Sequence, residues 1–192
     1  MGKIEKKLKA MGLTPLPGPH PYPNPNRCAC VRVGNLLFLS GHGTGRREMP
    51  LGIRQFGKVG TEVTEEEAYL CAKSVALTMM GTIKAEVGDL DRVKRVVRLY
   101  GMINSAPGFE RPFTVLDGAS DLFYELWGPV YGKHARAAVG IAELPRRAVV
   151  EVMGEFELWD APPRPGPSRK RKLKSGRRKT ARARGGSRNR RS

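Results

Sequence analysis

Two charged residues interrupt apolar runs in the second half of the sequence, and they are its strongest candidates for chemistry. Arg136 lies within the apolar run 135–141, and Glu151 lies within a second run, 148–158. A charge in such a run is costly unless it meets a partner or a ligand. A guanidinium can clamp a carboxylate through two parallel hydrogen bonds, and a glutamate can handle water or a proton. Alternatively, the two side chains could simply pair with each other on adjacent antiparallel strands.

The remaining polar residues form no motif of known chemistry. Ser40 ends a strand that otherwise reads Leu-Leu-Phe-Leu, and the glycine-rich segment 41–45 behind it predicts a loop. No helix follows that segment, as a phosphate-binding loop would require. His20, His42 and His134 share no metal-ligand spacing, so we predict no metal site. Each histidine alone is more typical of a surface or packing position, although His42 has the best location for a function.

The hydrophobic pattern predicts the elements that must position these residues. Two apolar runs flank Gly34-Asn35, which indicates a hairpin. Thr64 followed by Glu67 indicates a capping box at the start of a helix that ends at Gly88. We expect a short N-terminal helix over 3–11 and, after the capped helix, a strand over 91–103, a helix over 114–127 and strands over 135–141 and 148–158 joined by a turn. The order β-β-α-β-α-β-β predicts an α+β domain with both helices able to pack on one sheet face.

The positive charge of the chain is concentrated at its C-terminal end. The net charge is +17, but residues 161–192 hold 14 of the 35 Lys and Arg residues and no acid. The rest of the chain keeps 21 basic against 18 acidic residues, a net charge of only +3. We therefore divide the chain into a short helix with a proline-rich strap (1–26), a folded domain (27–158) and a disordered basic tail (159–192).

The tail is a candidate for nonspecific nucleic-acid binding, because its cations would release counterions from phosphates. It contains no aromatic residue, so base stacking is not expected to contribute. A solubilising tail and a nuclear-import signal are the alternatives. The candidate contact residues are Arg169, Lys170, Arg171, Lys172, Arg177, Arg178 and Lys179.

The sequence argues against several classes of protein. No apolar run approaches the roughly 18 residues that a membrane-spanning helix needs, so no membrane partner is expected. The N-terminus lacks the hydrophobic core of a secretory signal. Three cysteines without paired spacing predict neither a disulfide scaffold nor a zinc site. A reducing compartment is the simpler interpretation, and we expect a cytoplasmic location, or a nuclear one if the host is eukaryotic.

The order of these segments resembles the YjgF/Rid family of reactive-intermediate deaminases, once labelled translation inhibitors or L-PSP endoribonucleases. The resemblance rests on the run from Gly34 to Gly41, on the capped helix, and on the run from His134 to Val139 followed by Leu144-Pro145 and Val150-Glu151-Val152. It covers roughly residues 27–158. Segments 104–107 and 118–122 resemble the branch often called chorismate mutase-like.

The resemblance implies a YjgF/chorismate mutase-like fold with one mixed β-sheet, assembled as a homotrimer with clefts between subunits. It implies hydrolysis of 2-imino acids to 2-oxo acids and ammonia, without metal or organic cofactor. Arg136 would then hold the carboxylate of a small substrate and Glu151 would position the attacking water. Ser40, Gly41 and Ala138 would line the cleft.

Two positions depart from the family pattern. Arg27 stands where the family commonly has a tyrosine, and His42 replaces the glutamine that commonly follows the Ser-Gly pair. As lining residues, they could favour a larger or more acidic substrate, or abolish the standard activity. An imine/enamine deaminase is therefore the leading hypothesis. The alternatives are a nucleic-acid-binding or ribonuclease-like protein that uses the basic tail, and a noncatalytic ligand-binding trimer.

Overall fold

A computed structural model describes residues 1–18, 25–44 and 55–159, all within one compact unit, Met1–Pro162. These residues form three α-helices and five strands, with two short 3-10 turns at Leu90–Arg92 and Pro145–Arg147. The helices are α1 (Lys3–Ala10), α2 (Glu65–Val87) and α3 (Pro112–Tyr131), and the strands are β1 (Cys30–Val33), β2 (Leu36–Gly43), β3 (Val93–Asn104), β4 (Ala135–Ile141) and β5 (Val150–Leu158).

Local signals account for the bounds of α2. The Thr64 side chain accepts a hydrogen bond from the Glu67 backbone, and the Glu67 carboxylate accepts one from the Thr64 backbone. This reciprocal pair satisfies two backbone donors that the first turn cannot use. The helix ends at Gly88, whose φ of 86° is a conformation that glycine adopts without strain. The predicted capped helix is confirmed.

The five strands form one mixed sheet in the order β1-β2-β5-β3-β4. Strands β1 and β2 form the expected antiparallel hairpin through Gly34-Asn35, and β5 pairs antiparallel with both β2 and β3. Strand β4, in contrast, pairs parallel with β3 and forms an edge of the sheet. The turn predicted between β4 and β5 is present at Pro145–Arg147, but it does not close a hairpin, because β3 lies between the two strands.

The core lies between the sheet and the helices α2 and α3. Alternate residues of the central strands are buried on the helix-facing side, among them Leu99 and Ile103 of β3 and Val152 and Phe156 of β5. Both long helices pack on this same face, so the predicted α+β fold is confirmed. No helix among the described residues is long and apolar enough to cross a membrane.

The N-terminal segment is attached to the helical layer. The backbone amides of Lys3 and Ile4 donate to the Asp91 carboxylate at 2.6 and 2.8 Å. Farther on, the Leu16 amide donates to the Leu77 carbonyl of α2, and a methyl group at Gly81 would lie 1.6 Å from the Leu16 oxygen. Residues 13–18 thus run across α2. The rest of the proline-rich strap, 19–24, lies outside the described residues.

Candidate functional site

Strand β4 and helix α3 together position Arg136. The residue is aligned with buried Leu99 of the parallel neighbour β3, so its side chain leaves the sheet on the helix-facing side. Its Nη1 donates to Asp117 Oδ1 at 2.5 Å and to Ser120 Oγ at 3.2 Å. Within the described residues, no hydrogen bond uses Nε or Nη2, and the side chain is 33% exposed. One edge of the guanidinium is therefore anchored and the other is open to a ligand.

Glu151 lies on the opposite face of the sheet, between the buried residues Val150 and Val152 of β5. Its carboxylate lies over Gly41, where a Cβ atom would come within 1.8 Å of Oε1. The side chain is half-buried and makes no hydrogen bond among the described residues. Burial raises the pKa of this carboxyl above its ordinary value. A carboxylate with a raised pKa is a stronger base than an exposed one, and its unused lone pairs can accept a proton from water.

Arg136 and Glu151 do not pair within one protomer. Strand β3 separates β4 from β5, and the two side chains leave the sheet on different faces. The alternative in which these charges neutralise each other on adjacent antiparallel strands is therefore wrong. Arg136 instead forms an ion pair with Asp117 of α3, the helix that packs on this face of the sheet.

A bulge in β2 decides where Ser40, Gly41 and His42 lie. The pairing with β5 shifts between Leu39 and His42, so both of these residues face the helices. The His42 ring is buried, with Nδ1 2.6 Å from the Ser40 carbonyl and Nε2 2.8 Å from Thr82 Oγ1 of α2. Gly41 faces Glu151 on the other side of the sheet. Thus only Gly41 of these neighbours is brought against the Glu151 carboxylate.

The other sequence-predicted site residues are scattered. The Ser40 hydroxyl donates to the Cys28 carbonyl at 2.8 Å. Arg27 is exposed, just before β1. Ala138 is aligned with Gly101 and packs against the core on the same face as Arg136. The seven tail residues predicted to contact nucleic acid lie outside the described residues.

Sequence reasoning missed the polar partners of Arg136. Asp117 and Ser120 lie one turn apart on α3, and the His134 ring also contacts the Ser120 hydroxyl, with Nε2 at 3.1 Å from Oγ. A weak signal was present, because Ser120 is the one polar residue among the buried residues of α3. Its partners, however, depend on how α3 lies against β4. Within the described residues, no three His, Cys, Asp or Glu side chains converge as metal ligands.

Two surface depressions flank these groups. A groove of about 450 Å³ between α2 and α3 has an acidic lining that includes Glu65, Asp117 and Asp121. In it, the Tyr69 hydroxyl donates to Asp121 at 3.0 Å, and burial together with this bond raises the pKa of Tyr69 to about 12. A second depression, of about 350 Å³, lies on the helix-free face of the sheet beside Phe38 and Tyr100. The protomer thus presents candidate binding surfaces on both faces of the sheet.

Comparison with known proteins identifies the family. Residues 32–156, which include both Arg136 and Glu151, match the family described as "YjgF/chorismate mutase-like, putative endoribonuclease". The chain belongs to this YjgF/chorismate mutase-like family. The resemblance inferred from the sequence is confirmed, as is the mixed-sheet fold that it implied.

Relatives of this YjgF/chorismate mutase-like chain occur in several organisms. Protein TCP17 of Trypanosoma cruzi is 45% identical over 102 residues, which are 53% of this chain and 64% of that protein. The match therefore spans less than two thirds of that relative. A protein of unknown function from Agrobacterium tumefaciens is 35% identical with a TM-score of 0.70, covering 81% of this chain and 94% of that one. A "putative endoribonuclease" from Shewanella oneidensis is 27% identical with a TM-score of 0.73, covering 82% of this chain and 100% of that one.

Proposed function

We propose that the protein is an imine/enamine deaminase, which hydrolyses 2-imino acids to 2-oxo acids and ammonia. One observation carries the proposal: the Arg136 guanidinium is anchored through Nη1 alone and keeps Nε and Nη2 unbonded among the described residues. That free edge has the geometry to accept a carboxylate through two parallel bonds. The anchor on Asp117 and Ser120 holds the guanidinium in place before a substrate arrives.

For imine hydrolysis, the protein must mainly orient the substrate and a water molecule and carry a proton between them. An imine carbon is already electrophilic, so a correctly held water can add to it without a strong nucleophile. Glu151 would accept a proton from that water as the water oxygen bonds to the carbon, and would pass the proton to the nitrogen, which gives a carbinolamine. A second transfer through Glu151 then moves the hydroxyl proton to the amine as the carbon–nitrogen bond breaks, so that ammonia leaves and the carbonyl forms. Burial raises the pKa of Glu151, which makes its carboxylate a stronger base toward the water than an exposed glutamate would be.

A site that contains both residues requires two copies of the chain. The water must attack the carbon next to the carboxylate, so Arg136 and Glu151 must reach the same small molecule. In one protomer, they lie on opposite faces of the sheet. We therefore propose the homotrimer that the family resemblance implies, with Arg136 of one subunit facing Glu151 of another. Strand β4 has an edge without a strand partner in the described residues, which leaves it available for such contact.

The activity is tested by trapping imines with semicarbazide as an amino-acid oxidase produces them from several amino acids. The protein should consume the imine and reduce the trapped product, and Arg136→Ala should abolish this effect. Arg95→Ala is the matched control, since Arg95 is an exposed arginine over the Tyr131 ring and lines neither depression. Full trapping in the presence of the wild-type protein, with every amino acid tried, would refute the deaminase proposal.

Subunit mixing tests whether the site is shared. Arg136→Ala and Glu151→Gln homotrimers should each be inactive. An equal mixture, unfolded and refolded together, should regain about one quarter of the wild-type activity, because one interface in four then receives both native residues. A mixture that stays inactive, although the wild-type protein survives the same treatment, would show that the two residues do not act across an interface.

The charge distribution favours nucleic-acid binding as a second candidate function. The tail holds the excess of positive charge, and the Shewanella relative carries a ribonuclease name. Deletion of residues 161–192 should abolish RNA binding at moderate salt and leave imine hydrolysis intact. Tight RNA binding by the truncated chain would place the binding surface in the folded domain instead. A carboxylate bound at Arg136 without turnover of any imine would favour the third candidate, a noncatalytic ligand-binding trimer.

A further inference from the structure

A continuous chain of hydrogen bonds leads from the end of α3 to Arg136. His134 Nδ1 lies 2.7 Å from the Gly132 carbonyl oxygen, and Nε2 lies 3.1 Å from Ser120 Oγ. A carbonyl oxygen can only accept, so Nδ1 carries the proton. In the neutral ring, Nε2 therefore accepts the hydrogen bond that the Ser120 hydroxyl donates. Arg136 Nη1 donates to the same Ser120 oxygen at 3.2 Å.

The surroundings of His134 favour the neutral form of its ring. Burial lowers the pKa of His134, and the positive charge of Arg136 lowers it further, against the opposing effect of the Gly132 bond. Asp117, also on α3, faces the guanidinium and binds it. At neutral pH, the ring can thus act as a base toward Ser120, while the guanidinium stabilises negative charge on the serine oxygen.

This combination is the arrangement of an activated nucleophile. A serine becomes reactive when a base can take its proton and a third group fixes the orientation of the base. Here His134 is the base, the Gly132 carbonyl orients it, and Arg136 adds a cation. Ser120 is held in α3 and Arg136 in β4, while Gly132 and His134 lie in the short connection between these two elements. Ser120 is 8% exposed and Arg136 is 33% exposed, so the centre lies just below the surface.

We propose that Ser120 and His134 form a nucleophile–base pair for acyl transfer, acting on small esters whose free carboxylate binds the open edge of Arg136. Ser120 Oγ bonds to the ester carbonyl carbon as its proton passes to His134 Nε2. The carbon–oxygen bond of the ester then breaks, and the alcohol leaves with that proton. Water, deprotonated by His134, cleaves the acyl-serine and restores the hydroxyl, so the net reaction is ester and water to acid and alcohol. This activity shares Arg136 with the imine hydrolysis but needs neither an imine nor Glu151.

The site of covalent labelling in the full-length wild-type protein decides this proposal. A fluorophosphonate reagent should phosphonylate Ser120: the oxygen–phosphorus bond forms, fluoride leaves, and the proton goes to His134. Mass spectrometry of the peptide that contains Ser120 reads the result. A folded protein that carries no adduct on Ser120 after prolonged exposure would overturn the proposal, and this readout needs no variant.

Variants then test whether the labelling of Ser120 depends on His134 as a base. His134→Gln should slow the labelling of Ser120 by about 100-fold or more, because a general base contributes at least that factor. Ser120→Ala should remove the adduct, and Ser74→Ala, at a buried serine oxygen without a hydrogen-bond partner among the described residues, should keep it. Labelling of Ser120 at an unchanged rate in His134→Gln would refute the role of the histidine.

The preference for a carboxylate is measured with nitrophenyl esters. The mono-nitrophenyl ester of a dicarboxylic acid should react at least about tenfold faster than a neutral ester of equal length, since one charge-assisted bond is worth that much. Arg136→Lys should reduce this preference. Equal rates for both esters would show that Arg136 does not select the substrate, whatever the outcome of the imine assay.

Discussion

A methyl group placed at Gly41 should move the Glu151 carboxylate and little else. The Cβ atom of Gly41→Ala would lie 1.8 Å from Glu151 Oε1, whereas ordinary contact begins at 3.4 Å. The carboxylate must therefore retreat by about 1.6 Å, the difference between these distances. The added Cβ atom would also lie 2.7 Å from Glu151 Cδ and 3.0 Å from Cγ. All three atoms belong to one flexible side chain, so a change of rotamer can relieve the contacts without a shift of the backbone. Such a change costs on the order of 0.5–1.5 kcal/mol at most.

The predicted effect on catalysis is much larger than the effect on folding. Misplacement of a reacting group by about 1 Å can cost about 100-fold in rate. We therefore expect kcat for imine hydrolysis to fall by about 100-fold, which corresponds to about 2.7 kcal/mol in the barrier. KM should change little, because the carboxylate of the substrate is held by Arg136. The free energy of unfolding should fall by no more than about 1.5 kcal/mol.

Gly43→Ala is the matched control for this experiment. A Cβ atom there meets the Val150 oxygen at 3.7 Å and Glu151 Oε2 at 3.8 Å, which are ordinary contacts. Both variants add one methyl group to the same strand, and both are measured by semicarbazide trapping and by denaturant unfolding. Wild-type kcat in Gly41→Ala would show that the position of Glu151 is not used in the reaction. An equal loss in both variants would assign the effect to the strand rather than to the carboxylate.

Three further predictions concern stability and reactivity. Burial raises the pKa of Glu151, so its ionisation costs stability as pH rises from the ordinary glutamate pKa through the raised one. Glu151→Gln should therefore have a higher melting temperature than wild type at pH 7 and the same melting temperature near pH 4. Equal melting temperatures at pH 7 would contradict this prediction. A thiol reagent should label exposed Cys28 well before buried Cys71, whose pKa burial raises to about 12, and mass spectrometry of partly labelled protein would reveal the opposite order. Thr64→Ala should lower the free energy of unfolding by about 1 kcal/mol, and an unchanged denaturation midpoint would mean that the capping box contributes nothing.

Those parts of the fold that local chemistry determines could be predicted from the sequence. The capping box at Thr64 and the glycine at 88 mark the ends of α2, and the Gly34-Asn35 pair marks the hairpin. The order of the strands could not be predicted, because the same alternating pattern suits a hairpin and a crossover equally well. The turn after β4 illustrates this, since Arg146 and Arg147 both adopt positive φ in a segment that leads across the sheet and not back along β4.

The candidate site could be predicted only in part, because the sequence shows which residues are unusual but not which faces of the sheet they project from. Arg136 and Glu151 stand out because each carries a charge within an apolar run, which requires no knowledge of the fold. The faces from which they project depend on the parallel pairing of β4 and on the alternation in β5. Ser120 and His134, separated by 14 residues, meet only because α3 lies beside the start of β4. The sequence marks Ser120 only as a polar residue at a buried position of α3, and it contains nothing that links this serine to His134.

The opposite faces of Arg136 and Glu151 lead to one more prediction, which concerns assembly. A carboxylate bound to Arg136 and a water held by Glu151 must meet on one small molecule, and each contact extends only about 3 Å. A β-sheet separates the two side chains within a protomer, so a lone subunit should not hydrolyse imines. Ser120, His134 and Arg136 lie on one face of a single protomer, so their reaction with a fluorophosphonate needs no partner. The protein is diluted below the dissociation constant of the oligomer, and light scattering or mass photometry verifies that it is monomeric. Imine hydrolysis per subunit should then be abolished, whereas the labelling of Ser120 should remain. Imine hydrolysis that persists undiminished in a verified monomer would show that Arg136 acts without the Glu151 of a second subunit.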